Sequence, residues 1–354
     1  MKHLRLWIGL AIGAFFIWLL FRRVDFQALA YSLRETRYFL LVPSLALVFV
    51  SFVMRTYRWR FFFVGDGHIP FRKLFTATMI GYMGNVVLPA RAGEFIRAYV
   101  ISKTGSGVAA TKAFATIVAE RVLDGICLVA LLCLSMLVLP SNKPVTIPSG
   151  TLFERSVTIH IEGLVATALG VLAVAVALTA LVYLRENVVS RIVGKVFSLF
   201  SDRAAEHATH LVASFASGLH VVRHGKRLAS VSFLSLLVWL PAGLAIYPVL
   251  RAFPTEVQWP WYTSLVVLAV VCVGVMIPAA PGFVGTFHAA CVAGLLLCAP
   301  VDFDTALAFS VVYHGANMVV LIIAGLICLG VENVSFLDVV RRAESGTAED
   351  APAN

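Results

Sequence analysis

Charge is what this chain has least of. Only 13% of its 354 residues are Asp, Glu, Lys or Arg, against 60% hydrophobic residues and a mean hydropathy of +0.91. That balance excludes an ordinary soluble domain and leaves no stretch for a sizeable one. Paired cysteines are missing too. Cys127, Cys133, Cys272, Cys291, Cys298 and Cys328 all lie in apolar runs, with no CxxC and no Cys/His metal spacing, so they read as packing residues. There is no nucleophile elbow, P-loop, GxGxxG or HExxH, and hence no support for an ATP-driven machine or a hydrolase of those classes. His207, His210, His220 and His224 have ligand-like spacings but stand in a solvated basic linker without a cysteine or clear carboxylate companion. No metal and no cofactor is expected.

The charge that is present is unbalanced. Lys and Arg number 28 against 19 Asp and Glu, giving a net +9, but they flank apolar segments, where they set topology and meet anionic lipid. A nucleic-acid partner is therefore not expected. The fold class expected is an all-α polytopic membrane protein with about six full spans, at roughly 20 apolar residues each. These are Leu4–Phe21 (an uncleaved first span, since Arg22-Arg23 follows without a small-residue cleavage site), Tyr38–Val53, Val108–Leu139, Ile161–Leu184, Leu228–Leu250 and Ala306–Leu329.

Two Pro/Gly-broken segments interrupt this plan. Lys73–Leu88 is apolar, breaks at Pro89 and Gly93, and resumes in a short arm, Phe95–Ser102. Thr263–Ile277 breaks likewise and resumes as Thr286–Cys298, and the order Pro-Ala-x-x-Gly recurs from Pro89 to Gly93 and from Pro278 to Gly282. Broken backbone at membrane depth is tolerated only where protein buries it or it lines a cavity, so both are expected to be re-entrant elements related by an internal repeat. The organisation expected is a first membrane half over 1–184 with its re-entrant element near 73–102 and a cytoplasmic, basic, amphipathic linker over 185–227. A second half over 228–331, with its element near 263–299, and a disordered polar tail over 332–354 complete it. With the linker inside, the Pro140–His160 loop is outside and the N-terminus cytoplasmic. The opposite orientation of the first half stays open if Lys73–Ser102 crosses fully.

Ionisable residues within apolar segments are costly and mark the site candidates. Arg91 stands in the first break, where the following helix N-terminus adds partial positive charge. Glu94 and Arg97 are three apart and fit either a mutual pair or a polar site. Glu120, Arg121 and Asp124 share a helix. They fit either a neutralised structural group or a site in which Arg121 meets a lipid anion while Glu120 pairs Arg91 or Arg97. The second half offers milder groups: Thr286 as a helix cap, His288 one turn on, and Tyr313, His314 and Asn317 in the last span.

On Asn85, the run Leu88-Pro89-Ala90-Arg91-Ala92-Gly93-Glu94, Arg97, Glu120-Arg121-Val122-Leu123-Asp124, Pro278 to Gly285 and the surroundings of Tyr313, nearly the whole chain resembles a known family. It is the lysylphosphatidylglycerol synthase transmembrane, or flippase-like, family. The resemblance implies a lipid translocator related to the membrane half of the enzyme that makes and flips aminoacylated phosphatidylglycerol. It also implies a bacterial inner-membrane location. No aminoacyl-transferase segment is recognised, so lysyl transfer is not implied. The partner expected is a membrane lipid, whether anionic phospholipid, hopanoid or isoprenoid-linked, and the oligomeric state is open. Two functions stand side by side: a transbilayer lipid transporter, and an intramembrane lipid-modifying enzyme or accessory subunit with Glu94 or Glu120 as base. The first is preferred, because an enzyme also needs an electrophile-stabilising group and a second-substrate site.

Overall fold

The computed structural model describes residues 25–63, 69–88, 91–105, 107–138, 145–147, 157–159, 184–199, 225–276, 280–332 and 335–345, with isolated residues between 18 and 216. The expected first span, most of the expected span over 161–184, the four linker histidines, Pro89, Pro278 and residues 346–354 lie outside them.

Helix α1, Phe26–Arg34, starts where Asp25 Oδ1 accepts the Gln27 and Ala28 amides at 2.8 and 3.2 Å. After a 3-10 turn, α2 runs Leu41–Trp59 and continues as 3-10 helix to Phe62. The α3/α4 pair, Phe71–Val87 and Gly93–Lys103, folds back on itself and packs on α5, Ala110–Val138. Strands β1, Val145–Ile147, and β2, Val157–Ile159, pair antiparallel inside the expected Pro140–His160 loop. Each is Val-Thr-Ile, and this β-branched triplet suits a strand better than the surrounding Pro and Ser suggest.

Helix α6, Glu186–Ser198, turns Ile192, Val196 and Phe197 outward. Helix α7, Gly225–Leu244, contains Pro241 and passes into α8, Ile246–Ala252. Two serines of α2 fix this bend, Ser51 Oγ donating to the Val238 carbonyl at 2.8 Å and Ser44 Oγ to the Ala245 carbonyl at 2.6 Å. The second folded pair is α9, Thr263–Gly274, and α10, Thr286–Cys298, and α11, Phe303–Glu332, packs against α10, α3 and α1. Helix α12, Phe336–Ser345, replaces part of the expected disordered tail. Phe336, Val339 and Val340 recur at helical spacing and pack against the core, and Val339 is buried.

Among the described residues four helical stretches are long and apolar enough to cross a membrane: Tyr38–Phe62, Ala229–Ala252, Pro281–Cys298 and Phe303–Glu332. Three of the six expected spans are among these four, two others fall largely outside the described residues, and the second returning arm, expected to be short, is the fourth once its 3-10 turn is counted. Helix α5 is 29 residues long but carries Glu120, Arg121 and Asp124 near its middle.

Candidate functional site

The first helical pair closes tightly because glycines face each other across it. A methyl group on Gly93 would run into the Gly81 carbonyl and come within 2.6 Å of the Asn85 amide. No larger residue fits between those backbones. Leu88, the residue before Pro89, is extended as a pre-proline residue prefers (φ −106°, ψ 149°), and this ends α3. Arg91 then takes a left-handed conformation, φ 55°, before α4 begins at Gly93.

Close packing of α3, α4, α2 and α5 gathers a charge cluster. Asp124 receives Arg55 Nη1 at 2.7 Å and Arg58 Nη2 at 2.6 Å. Glu120 receives both terminal nitrogens of Arg97, at 3.3 and 3.0 Å, and Arg121 Nη2 at 2.8 Å. Arg121 Nη2 also reaches the Tyr82 hydroxyl at 2.9 Å and Asp124 at 3.4 Å, with its Nε 3.8 Å from Glu94. Arg58 also donates to Ser235 Oγ at 3.0 Å. The Arg97 guanidinium lies 3.7 Å from the centre of the Trp59 ring, a cation–π contact, while Trp59 Nε1 donates to Thr116. Arg58 and Glu120 are completely buried, so these ions have exchanged water for one another. Removing one partner of such a group costs about 3–5 kcal/mol because the other charge is left stranded.

Beside the cluster lies a shallow cleft lined by Gly81, Tyr82, Asn85, Gly93, Glu94, Arg97 and Arg121. Asn85 Oδ1, Arg97 Nε and Arg121 Nε are buried there without a hydrogen-bond partner in the protein. Counted together, Arg55, Arg58, Arg97 and Arg121 give four positive charges against three negative from Glu94, Glu120 and Asp124, a surplus of +1. The site is suited to an anion with several acceptor oxygens.

Most of the first-half residues singled out from sequence meet here: Asn85, Glu94, Arg97, Glu120, Arg121 and Asp124. Glu94 and Arg97 do not pair with each other; Arg97 turns to Glu120 and Glu94 to Arg121. Arg91 stands apart. It reaches across to the second pair, donating from Nη2 to the Val275 carbonyl at 2.7 Å with its guanidinium 5.5 Å from the centre of the Phe283 ring. The second-half residues form a separate group. Thr286 is not the cap of α10 but its first residue, the cap being Gly285, and its hydroxyl donates to the Phe283 carbonyl at 3.2 Å. Tyr313 is buried between Phe287 and Phe309, Asn317 donates to the Tyr313 carbonyl at 2.7 Å, and His314 contacts His288.

Sequence reasoning missed Arg55, Arg58, Trp59 and Tyr82. Arg55 and Arg58 look like membrane-edge arginines that fix topology, yet α2 continues as helix through them to Phe62. Their spacing of three, next to Trp59, is the signal that they turn inward.

The family model described as the lysylphosphatidylglycerol synthase TM region matches residues 6–325. The chain belongs to this family. Glycosyltransferase AglD of Haloferax volcanii is 30% identical over 321 residues, covering 86% of this chain and 50% of that protein. The chain thus spans half the length of that relative. The UPF0104 membrane protein PH1989 of Pyrococcus horikoshii is 26% identical over 291 residues, 80% of this chain and 83% of the other. Family membership and the apolar helices make this lysylphosphatidylglycerol synthase TM family chain a multi-pass membrane protein with a lipid-related role.

Proposed function

We propose that the protein is a transbilayer lipid transporter that moves a lipid with an anionic headgroup past the α3/α4 cleft. The observation that carries this reading is the largely buried cluster of four arginines and three carboxylates beside a cleft, with Arg97 Nε and Arg121 Nε lacking a hydrogen-bond acceptor in the protein. Apolar tails stay in the bilayer while the headgroup replaces water with arginine N–H groups. Glu94 and Glu120 balance the site when it is empty, which limits the cost of burying like charges. In this reading α3/α4 and α9/α10 are re-entrant elements of an internal repeat. The protein sits in a bacterial inner membrane with its N-terminus and the basic α6 linker on the cytoplasmic side.

Covalent chemistry is not part of the proposal. The carboxylates that would act as bases, Glu94 and Glu120, are both held by arginine. The activity named for AglD belongs to a protein of which this chain spans half and is not carried over. Purified protein reconstituted into vesicles should speed the exchange between leaflets of a labelled anionic phospholipid over that of a zwitterionic one with the same tails. Equal exchange of both, or exchange at the rate of empty vesicles, removes the proposal. Orientation is tested separately: a cysteine at Lys195 in a cysteine-free background should be protected from an impermeant thiol reagent that reaches one at Thr146. The reverse pattern inverts the topology.

A further inference from the structure

The turn between α9 and α10 is held by two histidines whose hydrogen bonds leave one consistent tautomer. The Gly285 amide donates to His288 Nδ1 at 3.2 Å, so in a neutral ring the proton sits on His288 Nε2. His288 Nε2 is 3.3 Å from His314 Nδ1, which must then accept. His314 Nε2 in turn carries its proton and donates to the Gly282 carbonyl at 2.9 Å. A directed chain thus runs from one turn amide, through two imidazoles, to a turn carbonyl three residues away. It clamps a backbone that needs clamping: Gly282, Phe283 and Gly285 all have positive φ, 65°, 59° and 94°. His314 is buried and stacked on Phe287, with ring centres 4.2 Å apart.

We propose that the His288–His314 pair is a proton-binding site that opens the contact between the two helical pairs when it is charged. The chain has no place for an extra proton. Whichever ring receives it, the pair relaxes to a state in which His288 Nδ1 also carries hydrogen, and that N–H faces the Gly285 N–H. The turn loses the acceptor that caps α10, so its left-handed residues are no longer held. Phe283, the residue on which Arg91 rests, belongs to this turn. The groups around the pair offer no rescue. Phe287 stacks on His314 and Tyr313 of α11 lies against Phe287, and neither side chain supplies a negative charge. Among the described residues no carboxylate interacts with either ring. The closed contact therefore binds fewer protons than the open one, and lowering the pH favours opening. Arg91 and Phe283, the two non-glycine residues with positive φ among those described, sit on opposite sides of this contact. Strain of this kind persists only where surroundings impose it. The inference does not depend on the lipid reading, since its readout is a distance.

The test uses full-length protein in lipid nanodiscs, with spin labels at cysteines replacing Val87 and Met276, both exposed beside the contact. From pH 8 to pH 5 a longer-distance population should appear, disappear on return to pH 8, and be absent in His288→Gln and His314→Gln. Should those variants fail to fold, nitrogen-15 NMR of histidine-labelled native protein decides: both rings should be Nε2–H tautomers at pH 8, with imidazolium arising alongside the longer distance. An unchanged distance across this range, a pH response persisting in both variants, or a Nδ1–H tautomer at pH 8 overturns the proposal.

Discussion

The two helical pairs share a plan and differ in what fills it. In α3/α4 a glycine meets backbone, and polar side chains surround the crossing. In α9/α10 a methyl on Gly274 would collide with the Ala290 side chain, and the neighbours are Val267, Leu295 and Cys291. Both are closed by small residues, as helices in lipid are when dispersion rather than the hydrophobic effect draws them together. The first pair therefore holds the charge cluster and the second an apolar crossing. The two turns meet through Arg91 with Val275 and Phe283.

The largest expected difference between the pairs is in stability. Glu120→Ala strands Arg97 and should lower stability by about 3–5 kcal/mol, whereas Asn317→Ala removes one hydrogen bond worth about 1 kcal/mol. Thermal unfolding in detergent measures both, and equal losses would erase the distinction drawn between the pairs.

Packing gives the next effect. Gly93→Ala and Gly274→Ala each overpack their crossing, by about 1–3 kcal/mol. Adding Ala290→Gly should restore the Gly274 variant, because the collision there is with a side chain. No single truncation should restore Gly93→Ala, which meets the Gly81 carbonyl and the Asn85 amide and side chain. Rescue of both by side-chain trimming would show that the first pair is no tighter than the second.

The smallest effect sits where the pairs touch. Arg91→Gly loses the Val275 contact but relieves a positive φ, while Arg91→Ala loses the contact and keeps the strain. The glycine variant should be the more stable by about 1 kcal/mol. Equal unfolding temperatures would mean that the turn conformation at Arg91 stores no strain.

What the sequence disclosed follows from which physical signals are local. The turn between α3 and α4, and the span of α10 at Thr286–Cys298, were legible because backbone chemistry determines them residue by residue. That Glu120 and Asp124 turn to charged partners rather than to lipid was legible because carboxylates are rare in apolar helices. Their partners were not. Arg55 and Arg58 lie in another helix, 69 and 66 residues from Asp124 in sequence, and nothing in their own neighbourhood distinguishes an inward arginine from one at the lipid edge. The contact of Arg91 was hidden for a related reason, since the carbonyl it reaches is 184 residues away. The β hairpin and α12 were hidden by composition, since short apolar patterns there are diluted by Pro, Ser and charged residues.

The central claim is that the α3/α4 cleft carries an anionic headgroup, and Arg121 is the residue that tests it most directly. It is partly exposed to the cleft, its side chain 29% accessible, and Glu120 keeps Arg97 and Arg58 as partners without it. In reconstituted vesicles, Arg121→Gln should remain folded yet move a labelled anionic phospholipid at least about tenfold more slowly, the equivalent of ~1.4 kcal/mol of lost interaction. A folded Arg121→Gln protein that moves the anionic lipid at the native rate would contradict the account.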